Sequence, residues 1–201
     1  MSWIKVIPFE EATGKLKQIY NKIKGQNNQI DNVLIINSLR PQALTGQMSL
    51  YKNTLHHSNN TFPNWFLELL GTYTSFINNC CYCYEHHFAG MKRFLADDKK
   101  ANALKFHIEN NSLSEYLNAR EMAAISYAHK LTINAGTITE EDINILRSHG
   151  NDDGEILEIN QVVAYFNYAN RTVLGLGVNT ANEILGLSPQ NKDDERDWDH
   201  K

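Results

Sequence analysis

The stretch Glu68-Leu69-Leu70-Gly71-Thr72-Tyr73-Thr74-Ser75-Phe76-Ile77-Asn78-Asn79-Cys80-Cys81-Tyr82-Cys83-Tyr84-Glu85-His86-His87 decides how this chain is read. All of its cysteines fall within four consecutive positions. Cys80 and Cys83 form a C-x-x-C pair, and His87 follows Cys83 by four residues, which puts the two on one face of a helix. Glu68 lies twelve residues before Cys80. On one unbroken helix that interval spans about 18 Å, too far for contact. The Asn78-Asn79 pair offers a break. If the chain reverses there, an antiparallel helix pair sets Glu68 opposite His87. A carboxylate, an imidazole and a dithiol then share one site, and that combination points to redox chemistry.

Working outward, Phe66, Leu69, Leu70, Tyr73, Phe76 and Ile77 make a helical stripe, with Pro63 suited to its first turn. Glu68, Thr72, Ser75 and Asn79 form a separate polar row. A lone glutamate in such a row is by default a solvated carboxylate; its register with the dithiol singles Glu68 out. A second helix is predicted from near Cys80 through Phe88, Met91 and Phe94 to Leu95. Asp97-Asp98-Lys99-Lys100 reads as a solvated, charged turn. Towards the N-terminus, residues 1–9 read as extended. A helix over Glu10–Lys24 follows from Leu16, Ile19, Tyr20 and Ile23. Another opens at Pro41, with Leu44, Met48 and Tyr51 on its apolar face. His56-His57-Ser58-Asn59-Asn60 reads as a loop with solvated histidines.

Beyond the cluster, a helix from Glu121 towards Leu131 faintly echoes Glu68-Leu69-Leu70. It suggests an internal duplication whose second copy lacks the chemistry, with Ile133 in the place of Cys80. Thr139 followed by Glu140, Glu141 and Asp142 marks a helix N-terminus. Glu155 to Leu174 reads as a buried central helix ended by Gly175 and Gly177. Asn167, Asn170 and Arg171 are polar exceptions on it, expected to satisfy helix ends or a subunit contact. The tail from Ser188, with five acids against three bases, is expected to fray. The expectation is an all-α protein, with one domain over 1–187 and a charged tail over 188–201.

Composition narrows the function classes. With 201 residues, 42% of them apolar, the chain can bury one sizeable core. Only four prolines and 11 glycines favour helix over a turn-rich β architecture. A net charge of −4 leaves no basic footprint for nucleic acid. The N-terminus lacks an apolar signal-peptide core, and the longest aliphatic run, Val33 to Ile36, is far below the roughly 20 residues that span a bilayer. A cytoplasmic protein with no membrane partner is expected. Cysteines confined to one cluster cannot staple distant segments, and in a reducing compartment a C-x-x-C is catalytic or metal-binding.

Each residue of the cluster has a role to play in reducing a peroxide. A thiol becomes a strong nucleophile as thiolate, and a nearby histidine promotes that ionisation. A carboxylate can orient the imidazole and accept the relayed proton. A second thiol three residues away can condense with a sulfenic acid and ready the site for reduction. The competing reading is zinc held by Cys80, Cys83, His86 and His87, although adjacent His86 and His87 point to different helix faces. Cys81 fits neither geometry and reads as a small buried residue.

The pattern Glu68 … Cys80-x-x-Cys83-x-x-x-His87 resembles the site of the alkylhydroperoxidase AhpD-like, or carboxymuconolactone decarboxylase, superfamily. The run Asn78-Asn79-Cys80 … Tyr82-Cys83 … Glu85-His86-His87 is similar to its peroxidase-related branch. So are Lys5-Val6-Ile7-Pro8, Asn32-Val33-Leu34, Glu155-Ile156-Leu157-Glu158-Ile159 and Phe166-Asn167-Tyr168-Ala169-Asn170-Arg171. The resemblance implies an AhpD-like helical bundle that assembles into dimers, trimers or hexamers, and thiol-dependent peroxidase activity without haem or other cofactor. Its partners would be a peroxide substrate and a dithiol or protein disulfide reductant. Cys83 would be the reactive thiol, Cys80 its disulfide partner, and Glu68 with His87 the proton relay. Decarboxylase members lack the C-x-x-C, which argues against that activity. The family often carries an Arg-Glu step where this chain reads Leu67-Glu68. The alternative is a non-catalytic redox sensor or zinc-binding oligomer on the same fold.

Overall fold

The computed structural model describes residues 2–25, 28–189 and 193. Among these residues it has nine α-helices and no β-strand. Its centre is the predicted hairpin of α4 (Asn64–Ile77) and α5 (Cys81–Leu95). Pro63, at φ −65°, precedes the first helical residue and donates no N–H that the helix would have to satisfy. Every residue from Phe66 to Ser75 is buried. Glu68, Thr72 and Ser75 of the polar row are therefore inside the protein, while Asn79, past the end of α4, is exposed. Thr72 and Ser75 bury their hydroxyls by donating to the Glu68 and Gly71 carbonyls one turn back, both at 2.8 Å. The break falls where expected: Asn79 takes a left-handed φ of +56°, which asparagine tolerates better than most residues.

A long helix, α9 (Asp153–Leu176), packs across the hairpin with Ile159, Val162, Val163, Phe166 and Val173 buried. Burying a side chain of this size contributes about 1.5–3 kcal/mol. Gly71 makes the crossing possible, because a Cβ there would lie 2.1 Å from the Phe166 ring. The apolar faces of α4 and α9 are thus used against each other within one chain. Asn170 and Asn167 pin α9 to the hairpin turn. Asn78 Nδ2 donates to both their Oδ1 atoms, at 2.9 and 3.1 Å, and Asn170 Nδ2 donates to Ser75 Oγ at 3.1 Å. These bonds join side chains and leave the backbone groups of the helix end to other partners.

α6 (Asp98–Glu109), α7 (Ala119–Asn134) and α8 (Glu140–Ser148) complete this core. The charged stretch is largely exposed, as expected, but begins a helix and is not a turn: the Asp97 side chain accepts from the Lys99 and Lys100 N–H groups and caps α6. Glu121 closes a capping box with Asn118 at the start of α7, so it is not placed like Glu68. The helix N-terminus expected at Thr139 is present, and Asp142 closes a capping box there.

The N-terminal segment builds a smaller apolar cluster from α1 (Gly14–Ile23), α2 (Asn32–Ile35) and α3 (Pro41–Tyr51). The first helix starts later than predicted. Phe9–Glu11 forms a separate 3-10 turn, and Thr13 stands extended before Gly14. After α3 the chain continues without a break into a π-helical turn, Lys52–His56. The predicted loop histidine His56 is therefore buried. Most of the predicted tail lies outside the described residues; Ser188, within it, is buried and accepts a hydrogen bond from Arg93.

Candidate active site

The fifth residue of α4, Glu68, faces α5 across the hairpin and is almost wholly buried. Its Oε2 lies 2.6 Å from His87 Nδ1, and its Oε1 lies 3.7 Å from His56 Nε2. Gly90 on α5 leaves room for the carboxyl group, since a Cβ there would come within 3.0 Å of the Glu68 Cδ. A buried carboxylate is costly unless it is paired and hydrogen-bonded; here two imidazoles flank it. His87 also meets Phe166 edge to face, with ring centroids 4.4 Å apart. The absent Cβ of Gly71 thus lets Phe166 in, and Phe166 buttresses His87. With Nδ1 engaged by Glu68, Nε2 is the ring nitrogen left for chemistry.

His56 is the member that sequence reasoning missed. The composition of its neighbours reads as a polar loop. The usable signal was the α3 stripe Leu44, Met48 and Tyr51, which continues at the same spacing to Leu55, itself buried. That period carries Leu55 inward; the wider π-helical turn over Lys52–His56 buries His56 beside it. Tyr51 lies edge-on to the His56 ring at 4.8 Å.

Cys80 occupies the N-cap position of α5 and Cys83 its first turn. Both are buried and Cys81 is exposed, against expectation; all three thiols are free. The helix N-terminus favours thiolate here. Within the pair, the hydrogen bond from Cys83 holds the Cys80 thiol below its usual range, and burial works against this. The same hydrogen bond, together with burial, pushes Cys83 well up, with the Asn170 amide opposing. The Cys83 thiol therefore pairs with Cys80, not His87, in this arrangement. Its proton has to be taken away before it can attack.

Cys83, Glu68 and His87 open onto one cleft of about 610 Å³, including the space at its mouth. Val33, Leu34, Met48 and Leu187 give it apolar walls, and Tyr51, Tyr82 and Tyr165 add phenols. Burial pushes all three phenols up, so they stay protonated as hydrogen-bond donors. The proposed zinc set does not converge: His87 turns to Glu68 and His86 to Glu183. Among the described residues no group of three or more His, Cys, Asp or Glu side chains is arranged to hold a metal ion. Leu67, standing where the resembled family often has arginine, is fully buried in the core.

No protein-family model matches the sequence, and no curated protein does. Solved structures do match the fold. An uncharacterised peroxidase-related protein with an AhpD core, from Ralstonia eutropha JMP134, superposes with a TM-score of 0.75 at 20% identity, covering 89% of this chain and 91% of that one. A peroxidase-related protein from Silicibacter sp. TM1040 gives 0.75 at 22% identity with the same coverage. The debrominase Bmp8, solved with 2,3,4-tribromopyrrole, gives 0.64 at 16% identity and covers 84% of each chain. The fold is the AhpD-like helical fold, and among the described residues no helix is long and apolar enough to cross a membrane.

Proposed function

We propose that this protein is a haem-free thiol peroxidase in which Cys83 reduces a hydroperoxide inside the cleft. The observation that carries the reading is the buried Glu68–His87 pair, at 2.6 Å, opening onto the same cleft as Cys83. Cys83 holds its proton against Cys80, so attack requires a base. His87, oriented through Nδ1 by Glu68, takes that proton on Nε2. The thiolate attacks the terminal peroxide oxygen, becoming a sulfenic acid and releasing an alkoxide. Cys80, the more acidic thiol, then attacks the sulfenic sulfur and expels hydroxide as the disulfide forms. A dithiol or protein disulfide reductant returns the pair to thiols, with no cofactor beyond the two cysteines.

The test is turnover of alkyl hydroperoxides with a dithiol donor, followed by mass mapping. The expected result is turnover in wild type, none in Cys83→Ser, and loss of two hydrogens across Cys80 and Cys83 after mild peroxide. A wild-type protein that consumes no peroxide, or a major disulfide through Cys81, would count against it. A second reading comes from the bound tribromopyrrole of the debrominase. Reductive removal of bromine by the same dithiol predicts bromide release from brominated pyrroles under the same donor. We also propose a homo-oligomer, resting on the exposed Leu157, Tyr168 and Leu174 of α9; sedimentation as a 23.0 kDa monomer alone would refute it.

A further inference from the structure

His86 is adjacent to His87 and points about 100° away around α5, yet its ring lines the same cleft. It has a carboxylate of its own. Glu183, from the segment after α9, places Oε2 3.5 Å from His86 Nε2. The other oxygen, Oε1, accepts from the Tyr82 hydroxyl at 2.8 Å and from the Asn32 N–H. Tyr82 in turn accepts from the Val33 N–H at 3.1 Å, and its ring lies over His86 with centroids 4.6 Å apart. The Glu183 segment is tied down by Asn32 Nδ2, which donates to the Asn179 and Ala181 carbonyls, and by Gln29 Nε2, which donates to that of Asn182. Both side chains of the pair are largely buried, at 2% and 11% exposure for Glu183 and His86. Asp31 lines the wall beside them. Burial, opposed by His86 and reinforced by Glu183, pushes its carboxyl up to about 6.

A carboxylate that takes two donors on one oxygen and faces an imidazole with the other suits an ionised acid beside a protonated histidine. The Glu68–His87 relay does not need this second pair to remove the thiol proton. Peroxide reduction, however, has a second proton requirement. When the Cys83 sulfur bonds to the terminal oxygen, the O–O bond breaks and its electron pair leaves on the RO oxygen. An alkoxide leaves poorly unless a proton reaches it.

We propose that His86, braced by Glu183 and with Asp31 beside it, is the acid that protonates the oxygen leaving from the peroxide. Cys83 thiolate and R–O–O–H give the sulfenic acid and RO⁻; imidazolium His86 gives its proton to RO⁻, yielding ROH and neutral His86. In the Cys80 step that thiol gives its proton to solvent and expels hydroxide, which takes the proton held by His87 to leave as water; His86 is reprotonated from solvent at the cleft mouth. His86 is then a catalytic residue and Glu183 a positioning residue. The inference rests on the thiol-peroxidase reading.

The experiment compares two oxidants with different leaving groups. Stopped-flow oxidation of Cys83 is measured with cumene hydroperoxide, which leaves as an alkoxide, and with peracetic acid, whose carboxylate leaves without a proton. In His86→Gln the alkyl hydroperoxide rate should fall about 10²-fold while the peracid rate stays within about threefold. Glu183→Gln keeps the carbonyl oxygen that Tyr82 and Asn32 address. It should show the same selectivity with a smaller loss, and it stands in if His86→Gln folds poorly. Equal slowing of both oxidants, or slowing of neither, in the folded variants overturns the assignment. A wild-type protein inert to both oxidants overturns the peroxidase reading, and this inference with it.

Discussion

Two neighbouring histidines on one helix each find a carboxylate, and the two pairs are built differently. Glu68 comes from the adjacent helix of a tight hairpin, 2.6 Å from His87, with His56 beside it and Gly90 leaving it room. Glu183 comes from an irregular segment after the last helix. It stands 3.5 Å from His86 and hangs on Tyr82 and the start of α2. The first pair is held by packed helices, where position is set to a fraction of an ångström. The second is held by a few hydrogen bonds on a turn, the kind of element that opens locally at low cost. A base that must meet a thiol in fixed geometry suits the first arrangement. An acid whose ring must meet leaving groups of different size suits a brace on the second kind of element.

The largest effects should come from breaking the helix-borne pair. Glu68→Gln or His87→Ala is expected to slow Cys83 alkylation near neutral pH by about 10²–10⁴-fold, the usual contribution of a positioned proton acceptor. Because both act on one proton, the double variant should be hardly worse than either single one. Losses that multiply would mean that Glu68 and His87 are not a unit. The same alkylation needs no leaving-group proton, so Glu183→Gln should leave it nearly unchanged. A Glu183→Gln loss as large as that of Glu68→Gln would erase the distinction between the pairs.

A smaller effect tests how each carboxylate is kept buried. His56→Leu leaves Glu68 with one imidazole instead of two and should cost about 1–3 kcal/mol of stability, the penalty for an imperfectly satisfied buried group. Glu183→Gln retains an oxygen for Tyr82 and Asn32 and should cost less, about 1 kcal/mol or below. Urea unfolding midpoints at neutral pH compare the two. Equal costs would show that His56 does little for Glu68.

The first pair was legible because it lies within a local pattern. Apolar spacing of three and four residues defined both hairpin helices, the Asn78-Asn79 break defined the turn, and register did the rest. Cys81 and Thr72 show the limit of that pattern, since burial depends on what packs outside the hairpin. His56 was hidden by the polar composition of the residues after it, although the α3 stripe runs on to Leu55. The Glu183 pair had no local signal. Its partner sits almost a hundred residues earlier in an unrelated helix, and only the path of the chain after α9 brings them together. The lowering of Cys80 and raising of Cys83, set by the hydrogen bond between them and by burial, likewise follow from three-dimensional surroundings.

The last effect, confined to one pH interval, concerns Asp31, the acid beside the second pair. Its carboxyl ionises near 3.8 in an unfolded chain and at about 6 in the folded protein, chiefly through burial. Between those values the folded state holds a proton that the unfolded state has lost. Stability contributed by this group is therefore full below about 4 and declines as pH rises to about 6, after which it is constant. Asparagine has no such proton. The stability of Asp31→Asn relative to wild type should climb across that interval, by about 1–2 kcal/mol allowing for partial exposure, and then level off. Urea unfolding of both proteins at half-unit pH steps from 3.5 to 7.5 gives the difference directly and cancels the other carboxylates. A flat difference would mean that Asp31 is solvated in the folded protein. It would then be no part of a proton-holding wall, and His86 would have Glu183 alone.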